Sequence, residues 1–155
     1  MRFAKWVLLA LLASVPTGAL AADHADDPKS AIVHEFLAAF NAQDATRMGA
    51  MVTEDVKWLS VSDATASIEV EGRSNLVAAM EGYFSSCPSC RSTISRMMPS
   101  RDRVSAIEVA TWESEGGLKS QQSMAIYEFS GEKIAAVCYF PAESVSLPEG
   151  EIVSE

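Results

Sequence analysis

The chain has 155 residues, a formal net charge of −9 and an apolar content of 48%. This length predicts a single domain, and the apolar content is sufficient for one hydrophobic core. The acidity argues against binding to nucleic acid or to anionic membrane surfaces, because like charges repel.

Residues 1–21, "MRFAKWVLLALLASVPTGALA", show the three parts of a secretory signal peptide. Arg2 and Lys5 are followed by an apolar run at 6–15, and Ala19-Leu20-Ala21 stands at the end as the cleavage site. An uncleaved N-terminal anchor is the alternative, although the apolar run is short for a membrane span. Cleavage removes two positive charges and no negative ones, so it leaves 134 residues with a net charge of −11. We therefore predict an exported protein, periplasmic or secreted.

Three cysteines lie in the part predicted to fold. In an oxidising compartment, Cys87 and Cys90 of "CPSC" are expected to form a disulfide. Closing so short a loop stabilises by roughly 2 kcal/mol. A redox-active pair needs its first cysteine at the start of a helix, whereas this motif follows a predicted helix; a partial metal site is a further alternative. Cys138 lies in an apolar run and is predicted to be a buried thiol.

In chain order, residues 22–27 form a polar lead, and the apolar spacing then predicts helices at 28–42, 44–52 and 72–86. Asp26 or Asp27, with Pro28 next, makes a typical helix start, and Asp44 can cap the second helix. Strands are predicted at 56–61, 68–71, 91–98, 104–113, 119–129 and 134–140. Residues 142–155 are acidic, contain proline and predict a flexible tail.

Helices segregated from an antiparallel sheet predict an α+β fold. The two late strands, "MAIYEF" and "IAAVCYF", are apolar on both faces, whereas a sheet with one face in water should alternate. We expect helices to cover one face and a second subunit to cover the other, so that the protein is a homodimer through the outer sheet face.

Two stretches, "FLAAFNAQDATRMGAMVTEDVKWLSV" and "EGRSNLVAAMEGYF", precede the series of strands. Over residues 28–141 this arrangement resembles the nuclear transport factor 2-like superfamily, which includes SnoaL-like domains and ketosteroid isomerases. The resemblance implies a cone-shaped, strongly curved antiparallel sheet wrapped around helices, with a pocket inside. It does not define an activity, because the superfamily contains enzymes and non-catalytic binding domains.

The resemblance to the ketosteroid isomerases can be tested at three positions. Those enzymes use a tyrosine on the first helix, an aspartate base on the first strand and a protonated aspartate on a later strand. The matching positions here hold Phe36, Ser60 and Ala125. A shift of one residue in the last match would give Met124 or Ile126 instead of Ala125. None of these side chains supplies the missing acid or base, so that mechanism is not expected.

Period-two alternation, with the position of Ser60 facing inward, predicts an aromatic pocket lining with a few hydroxyl groups. Such a lining suits a small apolar or aromatic molecule. The alternative is that these side chains simply fill the core. The candidate ligand-binding residues are Phe36, Phe40, Trp58, Ser60, Trp112, Ser123, Tyr127 and Tyr139.

Glu108 is the acidic residue in the predicted inward set. If it is buried, desolvation raises its pKa and makes it a candidate general acid or base. Tyr127 or Tyr139 could then assist proton transfer in a lyase or isomerase. In the alternative arrangement, a bulge turns Ile107 and Val109 inward and leaves Glu108 in solvent. Ile107 and Val109 are the better core residues, which favours this second arrangement.

Other catalytic signals are weak. His34 is the single histidine of the predicted folded region, and at about 200° from Phe36 on the helix it should face solvent. One histidine cannot supply the usual metal-ligand sets, and no phosphate loop or nucleophile motif occurs, so we predict no metal and no cofactor. Three functions stay open: a small-molecule-binding domain, a lyase or isomerase, and an interaction module with a solid core.

Overall fold

The structure is a computed structural model that describes residues 27–146. The predicted signal peptide, most of the polar lead and the last part of the predicted tail lie outside the described residues. The helices are α1 (Pro28–Asn41), α2 (Ala45–Ala50) and α3 (Arg73–Ser86). No helix within this range is long and apolar enough to span a membrane.

The strands form one curved, mostly antiparallel sheet in the spatial order β2-β1-β6-β5-β4-β3, with β7 pairing with β5. The α+β fold is therefore confirmed. The expectation of a purely antiparallel sheet is wrong at one pair, because β6 returns beside β1 in the same direction and pairs with it in parallel. The strand bounds are β1 (Val52–Ser62), β2 (Thr65–Glu71), β3 (Arg91–Ser100), β4 (Arg103–Ser114), β5 (Gly117–Ser130), β6 (Lys133–Tyr139) and β7 (Glu143–Ser144).

The first two helices begin at the predicted caps. The carboxylate of Asp27 accepts a hydrogen bond from the backbone N–H of Ser30 at 2.9 Å. The carboxylate of Asp44 accepts one from the backbone N–H of Arg47 at 2.8 Å. Each bond satisfies an N–H group that has no partner within its helix. Gly72 precedes α3 with a φ of 90°, a conformation that glycine adopts without steric cost.

The core lies between the helices and the inner face of the sheet. One side chain also ties α1 to the sheet: the amide of Asn41 donates to the carbonyl of Ser92 and accepts from its N–H, both at 2.8 Å. Asn41 thus gives the free edge of β3, the last strand of the sheet, a backbone-like partner. The largest fully buried core side chains are Tyr127, Phe36, Met48, Leu76, Ile134, Val33, Val52, Val56, Val104 and Val137.

The cysteines separate into a disulfide and a free thiol. The Cys87–Cys90 disulfide is present at the turn between α3 and β3. Cys138 is free and half-buried, so the prediction of a buried thiol overstated its burial. It lies on the face of β6 opposite to the buried neighbour Val137, which we call the outer face.

The predicted tail begins in ordered structure. Glu143 and Ser144 form β7 and pair with Gln122 and Gln121 of β5. Beyond them, the hydroxyl of Ser120 donates to the carbonyl of residue 145 at 2.8 Å. These first residues of the predicted tail therefore have backbone partners on the part of β5 that extends beyond the end of β6, despite their polar composition. Residues 147–155 lie outside the described part of the chain.

Candidate functional site

A cavity of about 340 Å³ lies between the helices and the inner face of the sheet. Its walls are mainly aromatic and aliphatic, and a small number of polar side chains interrupt them. The lining residues are Phe36, Leu37, Phe40, Met48, Trp58, Met80, Tyr83, Ser92, Glu108, Ala110, Gln121, Ser123, Tyr139, Phe140 and Ala142.

Glu108 lies on the cavity wall and is only 6% exposed. Along β4, Val104, Ala106 and Glu108 are buried, so the strand keeps strict alternation through this segment. The pairing of β4 with β5 runs without a register shift, and the bulge lies instead in the pairing with β3. The favoured arrangement, with Ile107 and Val109 inward and Glu108 in solvent, is therefore wrong.

Three hydroxyl groups surround the Glu108 carboxyl. The hydroxyl of Tyr127 donates to Oε1. The hydroxyl of Tyr139 donates to Oε2 at 3.0 Å, and the Oγ of Ser92 donates to the same oxygen at 3.4 Å. The two tyrosine oxygens are 3.4 Å apart. Strands β3, β4, β5 and β6 thus each contribute one side chain to a continuous buried polar network.

Burial dominates the protonation of this network. Desolvation raises the pKa of Glu108 above its ordinary value, while hydrogen bonds from Tyr127, Tyr139 and Ser92 act in the opposite direction. Desolvation is also the largest cause that raises the pKa of Tyr127 and Tyr139 well above the usual tyrosine value. Both tyrosines therefore stay neutral near pH 7, and Glu108 is the group of this network whose charged form burial disfavours.

Stacked rings position the cavity wall next to this network. Trp58 stacks on Tyr139 with ring centroids 5.1 Å apart. The ring centroid of Phe36 lies 6.5 Å from that of Trp58 and 6.1 Å from that of Tyr127, and the contact with Tyr127 is edge-to-face. Such contacts stabilise the relative orientation of the rings, so the aromatic wall and the polar network hold each other in place.

The structure brings most of the predicted site residues together. Phe36, Phe40, Trp58, Glu108, Ser123 and Tyr139 line the cavity. Tyr127 is fully buried behind the wall and reaches the cavity through its bond to Glu108.

Ser60 and Trp112 do not line the cavity, so their predicted place in the lining is wrong. Each lies further along its strand than the lining residue on the same strand, Trp58 on β1 and Ala110 on β4. The hydroxyl of Ser60 bonds to the exposed Glu69 of β2 at 2.6 Å. Strand alternation predicts the face of a residue but not where the cavity ends.

Several lining residues were absent from the predicted site. Met80 and Tyr83 belong to the apolar stripe of α3, but periodicity alone cannot tell which part of a stripe borders a cavity. Ser92 lies opposite Ala110 in the strand register, which becomes known only with the β3–β4 pairing. Phe140 and Gln121 could be assigned to the lining only from the packing of β5 and of the segment after β6.

The three positions that correspond to ketosteroid isomerase groups carry no acid or base. Phe36 and Ala125 are buried, and Ser60 lies outside the cavity lining. Among residues 27–146, Glu108 is the carboxyl that lines the cavity. No group of three or more potential metal ligands occurs in that same range.

The fold defines a class of α+β domains in which helices pack against one curved, mostly antiparallel sheet. The sequence profile of the SnoaL-like domain matches residues 33–137, and the chain belongs to this family. No curated protein sequence matches the chain.

Solved structures support the same fold. An uncharacterised cystatin-fold protein from Novosphingobium aromaticivorans is 20% identical with a TM-score of 0.65, covering 73% of this chain and 97% of the other. A proposed ketosteroid isomerase from Kribbella flavida is 16% identical with a TM-score of 0.62, covering 83% and 88%. A proposed polyketide cyclase from Xanthomonas campestris is 20% identical with a TM-score of 0.54, covering 74% and 90%. At these identities the likeness shows a shared fold and leaves the activity open.

Proposed function

We propose that this protein is an exported SnoaL-like domain that binds a small apolar or aromatic molecule in its cavity. The observation that carries the proposal is a cavity of about 340 Å³ with mainly apolar walls and a buried carboxyl, Glu108. Small-molecule sites typically combine an apolar lining with a few polar groups that fix orientation. Two of the similar structures are also named as small-molecule enzymes, an isomerase and a cyclase.

The proposal can be tested by NMR titration with a panel of small aromatic compounds. Binding should shift the indole N–H signal of Trp58, which lines the cavity. The signal of Trp112, which lies outside the lining, should stay unchanged. Ala110→Leu should fill part of the cavity and weaken binding. Thr111→Leu, one residue along the same strand and outside the lining, is the matched control. Equal affinity of the two variants, or a panel without any binder, would contradict the proposal.

Proton transfer by Glu108 is the second candidate function, and the buried carboxyl network favours it. A desolvated carboxyl with a raised pKa is suited to general acid or base catalysis, as a lyase or isomerase requires. Tyr139 lines the cavity and could donate to a developing negative charge, while Tyr127 would position the carboxyl from behind.

This candidate predicts accelerated exchange of acidic C–H protons. An aromatic ketone such as 2-tetralone, incubated with the protein in D2O, should lose its α-proton NMR signals faster than in buffer. Glu108→Gln should reduce this acceleration by a factor of about 10² or more. Glu113→Gln, at an exposed position of the same strand, should leave it unchanged. Exchange that is no faster than in buffer would exclude this reaction and leave the binding function.

The homodimer is proposed from the outer sheet face. In the register, Ile126 of β5 lies beside Cys138 of β6, which lies beside Leu59 of β1 and then Ile68 of β2. Met124 is 38% exposed on the same face. Ile68 is 51% exposed at one end of this apolar row, and exposed apolar surface of this kind is typical of protein interfaces.

An interaction module with a solid core is less well supported, because the described chain contains a cavity.

Export is proposed from residues 1–21 alone. Mass spectrometry of the protein recovered from a bacterial periplasm or medium should give a mature N-terminus at Ala22. Retention of the intact N-terminus in the membrane fraction would instead indicate an anchor.

A further inference from the structure

The charges that line the cavity are unbalanced. Glu108 is its one ionisable acid, and no lysine, arginine or histidine of residues 27–146 lines it. Glu108 also takes no part in an ion pair within that range. An ionised carboxylate at this position is therefore a buried negative charge without a counter-charge from the described protein.

The hydrogen bonds to Glu108 satisfy its oxygen atoms but do not neutralise its charge. The hydroxyls of Tyr127, Tyr139 and Ser92 can all donate to the carboxylate. Neutral hydroxyl groups compensate for lost water contacts, whereas a net charge in a poorly solvated site still costs free energy unless it is paired. The site would gain most from a ligand that brings a positive charge to the carboxylate.

The rest of the lining suits a cation of low hydration. Six rings border the same space, three from helices, two from strands and one from the segment after β6: Phe36, Phe40, Tyr83, Trp58, Tyr139 and Phe140. The faces of aromatic rings attract alkylated ammonium groups, and Trp is the most effective of them. Anionic ligands such as carboxylates and phosphates would meet Glu108 without any cationic partner in the lining, so the site disfavours them.

We infer that the ligand class of this cavity is a small organic cation, an amine or a quaternary ammonium compound with an apolar or aromatic body. Its charged nitrogen would lie against Glu108, and its apolar part would contact the aromatic wall. The inference rests on the proposed binding function and specifies its ligand. It also assigns Glu108 a role in recognition that does not depend on catalysis.

Two probes of nearly equal shape test this inference. Phenyltrimethylammonium carries a fixed positive charge, and tert-butylbenzene has carbon in place of the nitrogen. Each is titrated into the unmodified protein, with the Trp58 indole signal as the readout and the Trp112 signal as the internal control. We expect the cation to bind at least about tenfold more tightly than the neutral probe at pH 8. Glu108→Gln should bring the ratio of the two affinities close to one.

The pH dependence separates a charge effect from a shape effect. Affinity for the cation should rise with pH as Glu108 ionises, while affinity for the neutral probe should not rise. The titratable groups that face Glu108 or the same cavity are Tyr127 of β5, Tyr139 of β6 and Tyr83 of α3. The pKa of each is raised by burial, so they keep their protons between pH 5 and pH 8.

Each outcome decides one proposal or both. A preference for the cation that disappears in Glu108→Gln supports the inference. Equal affinities of the unmodified protein for both probes would overturn the inference and leave the proposed binding function in place. Tighter binding of the neutral probe would do the same. If neither probe shifts the indole N–H signal of Trp58, the result would count against the inference and the binding function together.

Discussion

Glu108 is a buried carboxyl in the cavity lining. It is a carboxyl at a position where the neighbouring core residues of β4 are valine and alanine. Its burial costs free energy, and the hydroxyls of Tyr127, Tyr139 and Ser92 offset part of that cost. A residue retained at such a cost is a candidate for function rather than for stability.

The first prediction concerns stability as a function of pH. The pKa of Glu108 is raised in the folded state, mainly by desolvation, so folding favours the protonated acid. This contribution is present in full below the unfolded-state pKa and is lost as pH rises through the folded-state pKa. Glu108→Gln stays neutral and should therefore gain stability relative to the unmodified protein as pH rises from 4 to 8. Urea denaturation at both pH values measures the difference.

Glu113→Gln is the control for this prediction, because Glu113 is exposed on the same strand. Its effect on the free energy of unfolding should be small at both pH values. If Glu108→Gln changed stability by the same amount at pH 4 and pH 8, the change would reflect packing and not ionisation.

At the scale of elements, α2 and α3 pack closely through a glycine. A Cβ atom at Gly49 would lie 2.6 Å from Cγ2 of Val77, whereas at Gly82 it would meet nothing within 4 Å. Valine is β-branched and has few alternative rotamers, so it cannot easily move away. Gly49 is thus required by helix packing, and Gly82 is not.

Alanine at these two glycines should therefore have opposite effects. Gly49→Ala should lower the free energy of unfolding by about 1–3 kcal/mol through overpacking. Gly82→Ala, at an exposed site within α3, should raise it by roughly 0.5–1 kcal/mol, since alanine favours the helix. Chemical denaturation of both variants tests the pair, and a stabilising Gly49→Ala would show that the two helices can separate without cost.

The disulfide fixes the turn between α3 and β3. The hydroxyl of Tyr83, which also lines the cavity, donates to Sγ of Cys90 at 3.3 Å. The crosslink therefore supports a cavity wall as well as the turn. A loop this short limits the entropy that the crosslink removes from the unfolded chain.

Replacement of Cys87 and Cys90 by serine together should lower the free energy of unfolding by roughly 2 kcal/mol or less. Cys138→Ser, at the free half-buried thiol, is the control for loss of a sulfur atom alone. Thermal unfolding of the double variant with and without a reducing agent gives a second check, because its melting temperature should no longer respond to the reductant. A continued response would mean that another reducible bond stabilises the protein.

At the scale of the whole molecule, the sheet has two different faces. The inner face packs against the helices and borders the cavity, and the outer face presents an apolar row at its centre. Met124, in the middle of β5, is part of that outer face, opposite Ile107 in the register. A second copy of the chain is the occupant that we propose for it.

Light scattering should accordingly report a dimer for the unmodified protein. Met124→Glu would place a charge at the centre of the proposed interface and should produce a monomer that still folds, as judged by circular dichroism. Leu118→Glu is the matched control, since Leu118 is 60% exposed near the β4–β5 turn and lies away from the centre. A strict monomer of the unmodified protein at high concentration would exclude this interface.

Local patterns in the sequence predicted the three helices, the strands β1 to β6 and the α+β class, but they extended the second helix to residue 52, where β1 begins, and did not predict β7. The helix caps at Asp27 and Asp44, the helical spacing of apolar residues and the disulfide motif all act over a few residues, so they can be read without the fold. The same patterns carried the resemblance to the family that the profile match then established.

The tertiary structure decided what depends on strand pairing between distant segments. Whether Glu108 faced the cavity or solvent depended on where the sheet bulged, and that bulge lies in β3 and not in β4. The exclusion of Ser60 and Trp112 depended on where the cavity ends, and the pairing of β7 depended on β5 extending beyond the end of β6. Alternation along one strand repeats every two residues, so it cannot determine a register or an edge, which only the neighbouring strand defines.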